Sequence, residues 1–492
     1  MALKIYNSLS RQLEKFVPLQ DGKVLMYSCG PTVYDYFHIG NARTFLISDV
    51  IRRYLEYKGY SVKLVQNLTD IDDKIINRAN ELGISSSELT EKYVNSYFED
   101  SQRLGIRLAD VHPKPTEHIP EIIELIQTLI DKGVAYPIDG DVYYRVNSFD
   151  GYGKLSHRQP EDLLAGARVE VNERKEDPRD FDLWKSAKPS EPWWNSPWGK
   201  GRPGWHIECS AMAMKHLGQT IDIHAGGHDL QFPHHENEIA QSEVATEKPF
   251  ARYWMHIAFL RIDGRRMAKS ERNFIFVRNA LENYSPEAIR HFLISAQYRH
   301  PLDYNATSLK DSTSAIRRLN NCLDALKVAG VESVAETSST VNSQPQSIEG
   351  LDSDASLLES INTMRDGFEA AMDDDFNTAG ALGAIFKLVN GVNQFLAGTE
   401  NQPSQATKAL LGKTYNNLAE VCGVLGIYSE KQDSASENAA LFNQLLDLIV
   451  DLRQGARNRK DWETADKIRD RLKQLDIELK DSRNSTTWKI GN

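Results

Sequence analysis

An apolar run at residues 24 to 28 (VLMYS) leads into the loop CGPTVYDYFHIGN, and beyond it Phe45, Leu46, Asp49, Val50, Arg53 and Tyr54 are expected to separate into apolar and polar faces of a helix. A second run, VKLVQ at 62 to 66, precedes the acidic turn TDIDD and another predicted helix. Two runs of strand length with a helix between them predict parallel neighbours joined by a right-handed crossover. The first 110 residues therefore read as a doubly wound α/β layer.

The pattern changes over 113 to 202. Pro113, Pro115 and Pro120 mark its entrance, a helix is predicted near 121 to 132 and a strand at 141 to 146 (DVYYRV). Five of the eight tryptophans lie between Trp184 and Trp205, interleaved with Pro and Gly, which marks the exit from an inserted subdomain. Short apolar strands return at 221 to 224 (IDIH) and at 256 to 262 (HIAFLRI), the latter closed by the Asp263–Gly264 turn pair. Past 300, long helical periodicities take over, interrupted by an apolar-poor stretch at 333 to 350 expected to be a mobile linker. No internal repeat of fixed period is visible.

Composition sharpens this picture. A length of 492 residues implies about three domains, and 40% apolar with 26% charged residues is a globular composition. No stretch approaches the roughly 18 apolar residues of a membrane span, and the first residues lack a signal-peptide core, so a cytoplasmic protein with no membrane partner is expected. The net charge of −11 argues against a generic polyanion binder, yet all of it arises from 331 to 440, with five basic and sixteen acidic side chains. Basic patches elsewhere remain available. The tail, 441 to 492, carries eleven basic against nine acidic residues, including the stretch RQGARNRK. Four cysteines, Cys29, Cys209, Cys322 and Cys422, are too few for a disulfide framework and are either packing residues or metal ligands.

Three segments carry candidate chemistry. In FPHHENEIAQSEV at 232 to 244, Pro233 suits a first helical position, and His234 and Glu238 share a face at i, i+4. Such a pair alone is ordinarily an exposed polar face. Cys29 and Cys209 change that balance, because both are expected at the carboxyl edge of the sheet, where mixed sulfur, nitrogen and oxygen donors could bind zinc. His38–Ile39–Gly40–Asn41 stands where a helix should begin, a place that attracts phosphate through free N–H groups. Arg265–Arg266–Met267–Ala268–Lys269–Ser270 is a basic loop that could neutralise charge on a pyrophosphate leaving group. Taken singly, the last two read as an ordinary helix start and a solvated cationic hairpin.

Together and in this order, they resemble a family. PTVYDYFHIGN is similar to the HIGH signature of class I aminoacyl-tRNA synthetases and RMAKS to their KMSKS loop. With CGPTVYD, NLTDIDDKI, GWHIECSAM, GGHDLQFPHHENE and the ending ADKIRDRLKQLDIELKDSRNSTTWKI, the resemblance is to the cysteinyl-tRNA synthetases over the whole chain. It implies a Rossmann-like doubly wound catalytic domain in two halves, 1–112 and 203–300, with an inserted α+β subdomain at 113–202. A helical bundle at 301–440 and an anticodon-binding region at 441–492 are implied to follow.

The resemblance further implies Zn2+ on Cys29, Cys209, His234 and Glu238. It implies ATP, with Mg2+, at His38, Gly40, Asn41, Met267, Lys269 and Ser270, of which His38, Asn41 and Lys269 are catalytic. L-cysteine is implied at Gly30, Thr69, Trp205, His224 and Asp229; for Trp205, core packing is nearly as good a reading. Partners are L-cysteine, ATP and tRNA(Cys), and a monomer is expected. Arg453, Arg457, Arg459 and Lys460 could contact tRNA phosphates or form a solvated helix face. Asn41 replaces the final histidine of HIGH, and Arg266 and Ala268 stand where Lys and Ser are usual; each keeps enough donor or charge for activity to be expected. A ligase joining cysteine to an amino sugar shares such a core but lacks the anticodon region, and a silent RNA-binding paralogue would have no reason to keep His38 and Lys269.

Overall fold

The computed structural model describes residues 2–158, 174–267, 273–330, 352–398, 404–428, 435–474, 477–481 and 486–490. A hairpin of β1 (Lys4–Asn7) and β2 (Gln12–Lys15) precedes β3 (Lys23–Ser28), α1 (Ile39–Tyr57) and β4 (Ser61–Gln66). β3 and β4 begin with an exposed residue and end on three buried ones or nearly so, the pattern of parallel strands covered on both faces. They pair in parallel from Lys23 opposite Ser61 to Ser28 opposite Gln66. After α5 (Trp205–Leu217) the sheet resumes with β10 (Ile221–Gly227), α6 (Glu236–Thr246) and β11 (Ala251–Ile257). The order β11-β10-β3-β4 is wholly parallel, and the winding reverses between β10 and β3. That reversal opens a crevice beyond the carboxyl ends of these two strands.

Between the halves lie α2 (Asp73–Leu82), α3 (Ser86–Arg103) and α4 (Ile119–Asp131), then an antiparallel sheet of β5 (Ala135–Ile138), β6 (Asp141–Tyr144), β7 (Phe181–Ser186), β9 (Gly199–Pro203) and β8 (Trp194–Ser196), in that spatial order. Ile122, Leu129, Val142, Leu183 and Trp184 form its core, which continues onto Ile207 and Ala240 beside the crevice.

Two expectations for this half change. The run at 256 to 262 is two strands. β11 ends at Ile257, and β12 (Leu260–Ile262) belongs to a separate sheet with β13 (Arg265–Arg266) and β14 (Leu302–Tyr304), because Ala258 N–H donates to the Tyr298 carbonyl and leaves the ladder. The polar face expected on α1 is also absent: Asp49 is buried, held by Arg53 at 2.8 Å and by the buried Arg290 at 3.0 Å.

α7 (Val277–Asn283) and α8 (Pro286–Ile294) lead to the helical region of α9 (Ala306–Gly330), α10 (Asp352–Asp373), α11 (Thr378–Gly398) and α12 (Gln405–Leu425). Its packing fixes α1 from behind. Arg290 also donates to the Gly105 carbonyl at 2.8 Å and the Leu425 carbonyl at 3.2 Å, and Tyr54 OH donates to Asp373 at 2.7 Å. The Asp375 carboxylate accepts from Tyr6 N–H, Tyr298 OH, Gln297 and Arg299 at 2.7 to 2.8 Å, joining the amino-terminal hairpin to the start of α11. Cys322 and Cys422 are buried in this core, as the packing reading expects. The linker expected at 333 to 350 lies outside the described residues.

The chain forms two compact units, Met1–Ser429 and Glu430–Asn492. In the second, α13 (Ala435–Asn458), α14 (Trp462–Gln474) and a hairpin of β15 (Ile477–Asp481) and β16 (Thr486–Ile490) share a small core of Leu446, Leu472 and Ile477. The hairpin corrects the expectation of an all-helical last third. Arg453 is buried there, so of the four cations singled out only Arg459 and Lys460 stand exposed, with Arg457 half-buried. No helix among the described residues is long and apolar enough to cross a membrane.

Candidate active site

Four separate segments meet in the crevice. Cys29 follows the last residue of β3, Cys209 sits early in α5, His234 lies in the wide turn Gln231–His235, and Glu238 lies in the first turn of α6. Pro233 therefore sits in that turn and not at the first position of α6, because Phe232 adopts extended backbone angles that break the helix. The spacing still brings His234 Nε2 to 3.0 Å from Glu238 Oε1. All four side chains are buried, and one donor atom from each lies within 4.8 Å of the others.

Burial works against every charge here, and the neighbours decide which charges persist. The Cys29 thiol, with help from His234, draws Cys209 down to about 6 against burial and Glu238. Burial would lower His234, but Glu238 and Cys209 lift it to about 10. Burial and the adjacent Cys209 push Cys29 up. Glu238 is held well below the usual carboxylate range, because His224 and His234 outweigh its burial. His234, lifted to about 10, supplies one positive charge, so a thiolate and a carboxylate together leave the buried cluster with a net negative charge that a bound cation would offset. Two sulfur donors favour a soft divalent ion.

A second, overlapping set, Cys29, His224, His235 and Glu238, is equally close. It holds only one thiol, and its histidines have other duties. His224 Nε2 contacts Glu238 Oε2 at 2.8 Å, while its ring stacks on Trp254 with centroids 4.5 Å apart. His235 Nε2 lies 3.3 Å from Cys29 Sγ, and its Nδ1 meets His256, which reaches Ser8. Such a ring orients ligands. His206 completes it, 3.0 Å from His234 Nδ1. His224, which the resemblance places against the amino acid, is fully buried with its Nε2 on Glu238; His235, His256 and His206 escaped the sequence reading, although each lies in a segment quoted there, the HH doublet, HIAFLRI and GWHIECSAM. Trp205 is half-buried and stacks on His234 at 4.3 Å, forming a wall of the cluster.

On the other side of the crevice His38 caps α1. Its Nδ1 accepts from Asn41 N–H at 3.2 Å and Asn41 Oδ1 accepts from His38 N–H at 3.4 Å, a reciprocal capping box. An asparagine at 41 thus secures the helix start. Ile39 N–H donates to the Ile275 carbonyl, and a methyl at Gly40 would collide with Met267 Cε, so this start and the basic-loop segment are in contact. Ala268, Lys269 and Ser270 lie outside the described residues.

Gly30 N–H donates to Asn67 Oδ1 at 2.9 Å, and Asn67 Nδ2 donates to Thr69 Oγ1 at 3.0 Å. A Cβ at Gly30 would strike the Asn67 carbonyl. Gly30→Ala is therefore expected to cost about 1–3 kcal/mol of stability and to weaken amino-acid binding, measurable by thermal melting and calorimetry. Asp229 stands exposed just beyond β10, at the rim.

A wholly parallel sheet with a split winding, a capped signature helix facing a basic loop, and a Cys/His/Glu cluster at the switch point define a class I aminoacyl-tRNA synthetase. The family described as tRNA synthetases class I (C) catalytic domain matches residues 15–314, and the DALR domain matches 367–429. Cysteine–tRNA ligase of Bacillus licheniformis is 47% identical over 491 residues, covering 100% of both chains. That of Desulforudis audaxviator is 49% identical, covering 99% of this chain and 100% of its own. The chain belongs to the cysteine–tRNA ligase family. Among solved structures, Mycobacterium tuberculosis methionyl-tRNA synthetase with methionyl-adenylate superposes with a TM-score of 0.59 at 15% identity, covering 82% of this chain and 90% of that one. The ternary complex of Agrobacterium radiobacter LeuRS gives 0.60 at 12% identity, covering 84% and 86%. These two share the fold.

Proposed function

We infer that the protein activates L-cysteine with ATP and transfers it to tRNA(Cys), selecting cysteine through its thiol. The observation that carries this is the convergence of Cys29, Cys209, His234 and Glu238 in one buried cluster of a cysteine–tRNA ligase family chain. These four would hold Zn2+. When bound, zinc supplies a soft Lewis acid that favours the thiolate of the substrate, whereas a serine hydroxyl ionises far less readily. His224 and His235 hold Glu238 and Cys29 in orientation, and Trp205 closes the side of the cluster.

Gly30, Thr69 and Asp229 line the amino-acid side. ATP, with Mg2+, lies over His38, Gly40 and Asn41, where the helix start favours phosphate. Met267, Lys269 and Ser270 are assigned to ATP as the family resemblance implies, Lys269 countering charge on the departing pyrophosphate. The cysteine carboxylate attacks the α-phosphorus, the bond to the β-phosphate oxygen breaks, and pyrophosphate leaves with cysteinyl-adenylate formed. The terminal ribose hydroxyl of tRNA then attacks the activated carbonyl and releases AMP. The protein acts as a cytoplasmic monomer. Neither the family matches nor the relatives point to an amino-sugar ligase or a silent paralogue.

Cysteine-dependent ATP–pyrophosphate exchange tests the first step, and tRNA-dependent release of AMP the second; exchange that ignores cysteine overturns the reading. The carboxyl-terminal unit is assigned to tRNA, with Arg459 and Lys460 as exposed phosphate contacts. Ending the chain at Ser429 is expected to leave exchange intact and to lower transfer by at least about tenfold. Full transfer by the shortened chain contradicts this division.

A further inference from the structure

Arg278 has no part in the reading above, yet it joins three separate pieces of chain. It sits in the first turn of α7, and its guanidinium carbon lies 3.7 Å from the centre of the Tyr36 ring, in the loop that leads to His38. Its Nε and Nη2 donate to the two carboxylate oxygens of Asp100 on α3 at 3.1 and 3.2 Å, and Glu99 stands 3.6 Å from Nη2. Asp100 is 0% exposed; burial pushes its carboxyl up, and Arg278 is the main group that opposes this, Arg103 being 3.8 Å away.

What these contacts close is a short pairing around His38. Residues 37 to 39 run antiparallel to residues 275 to 277, with His38 opposite Phe276. Val277 N–H donates to the Phe37 carbonyl at 3.2 Å, and Ile39 N–H donates to the Ile275 carbonyl at 2.9 Å. A pairing of this length is weak by itself. Tyr36 and Arg278 are the next residues beyond its Phe37–Val277 end, so their stacking seals that end, and the Tyr36 ring also meets Tyr93 and Phe276 edge to face at 5.2 and 5.8 Å. The reciprocal cap with Asn41 holds His38 from the helix side; this clamp holds it from the loop side. We propose that Arg278 is a positioning residue for adenylate formation: stacked on Tyr36 and anchored to Asp100, it keeps the pairing closed on both sides of His38 and so fixes the backbone from which His38 meets ATP. The inference rests on the reading above that His38 belongs to the ATP site. Arginine suits the task and lysine does not, because the planar fork takes both carboxylate oxygens while its face stacks on the ring, whereas an ammonium does one or the other.

The test uses the metal-loaded full-length protein in cysteine-dependent pyrophosphate exchange, well below the melting temperature of each variant. Arg278→Lys is expected to lower kcat/KM for ATP by about 10- to 100-fold while leaving metal content, and cysteine affinity by calorimetry, as in the unaltered protein. If Arg278→Lys fails to fold, Arg278→Met combined with Asp100→Leu removes both partners, leaves no buried charge unpaired, and should show the same selective loss. His38→Asn keeps a side chain able to cap α1 and removes the imidazole. Adding Arg278→Lys to His38→Asn should slow exchange little further, since a residue that acts through His38 then has nothing left to position, whereas a merely structural loss multiplies. Losses that multiply, full activity in Arg278→Lys, or a matching loss of cysteine affinity overturn the positioning role. Exchange untouched by His38→Asn alone overturns the placing of His38 at ATP, a separate failure that takes the proposal with it.

Discussion

Chelating the metal from the purified protein, or replacing Cys209 by serine, is expected to collapse the preference for cysteine over serine from roughly 10⁴ or more to about 10² or less. The two amino acids differ by one atom, and shape alone discriminates weakly between near-isosteres. A site built around a particular polar handle discriminates strongly, because its own buried groups are left unpaired by the wrong ligand. Cys209 is the thiol its neighbours draw down to about 6, so it contributes much of the negative charge that holds a cation. Metal analysis and calorimetry of both amino acids on intact, chelated and substituted protein would show it. Cys322→Ser is the control: it disturbs a buried thiol of the helical core and should leave metal content and selectivity alone. Undiminished selectivity after complete metal loss would end the thiol-selection account.

Lys269→Ala should lower cysteine-dependent pyrophosphate exchange by about 10²- to 10³-fold, the usual cost of removing one group aimed at charge that develops in a transition state. Affinity for cysteine should be unaffected, since the reading proposed above assigns the amino acid to the cluster and the Thr69 segment and not to this loop. A loss in kcat with cysteine binding preserved is the signature of an interaction made mainly in the transition state. The α1 start is fixed and only fractionally charged, and its Ile39 and Asn41 N–H groups are already taken by the Ile275 carbonyl and His38 Nδ1. Met267, the last described residue before the loop, contacts Gly40 at that start. An unchanged exchange rate would remove Lys269 from the chemistry.

Much of the catalytic half was legible from pattern alone. The strands read at 24 to 28 and 62 to 66 form as Lys23–Ser28 and Ser61–Gln66, and the helix read at 121 to 132 forms as Ile119–Asp131. Periodicity misled where local pattern and tertiary demand diverge. HIAFLRI reads as one apolar strand, but the carbonyl of Tyr298, forty residues on, takes the N–H that would have continued the ladder. Asp49 and Arg53 look like a solvated face, yet Arg290 and the end of α12 bury that side of α1. The terminal hairpin does alternate, Ile477 and Leu479 standing opposite Ile490 and Trp488, but two apolar positions per strand are too short a pattern to stand out beside the long helical periodicities before them.

By itself the sequence determined which chemistry was present: two thiols, a His–Glu pair one helical turn apart, and a basic loop, each fixed by residue type and local spacing. Only the tertiary structure showed that Cys29, Cys209, His234 and Glu238 meet within one buried cluster, that a second donor set overlaps it, that His224 contacts Glu238, and that His235 and His256 adjoin the same cluster. The reason is physical. Spacing along one helix fixes geometry over a few ångströms, whereas groups hundreds of residues apart acquire their distances, burial and charge from the packing of strands and helices that bring them together.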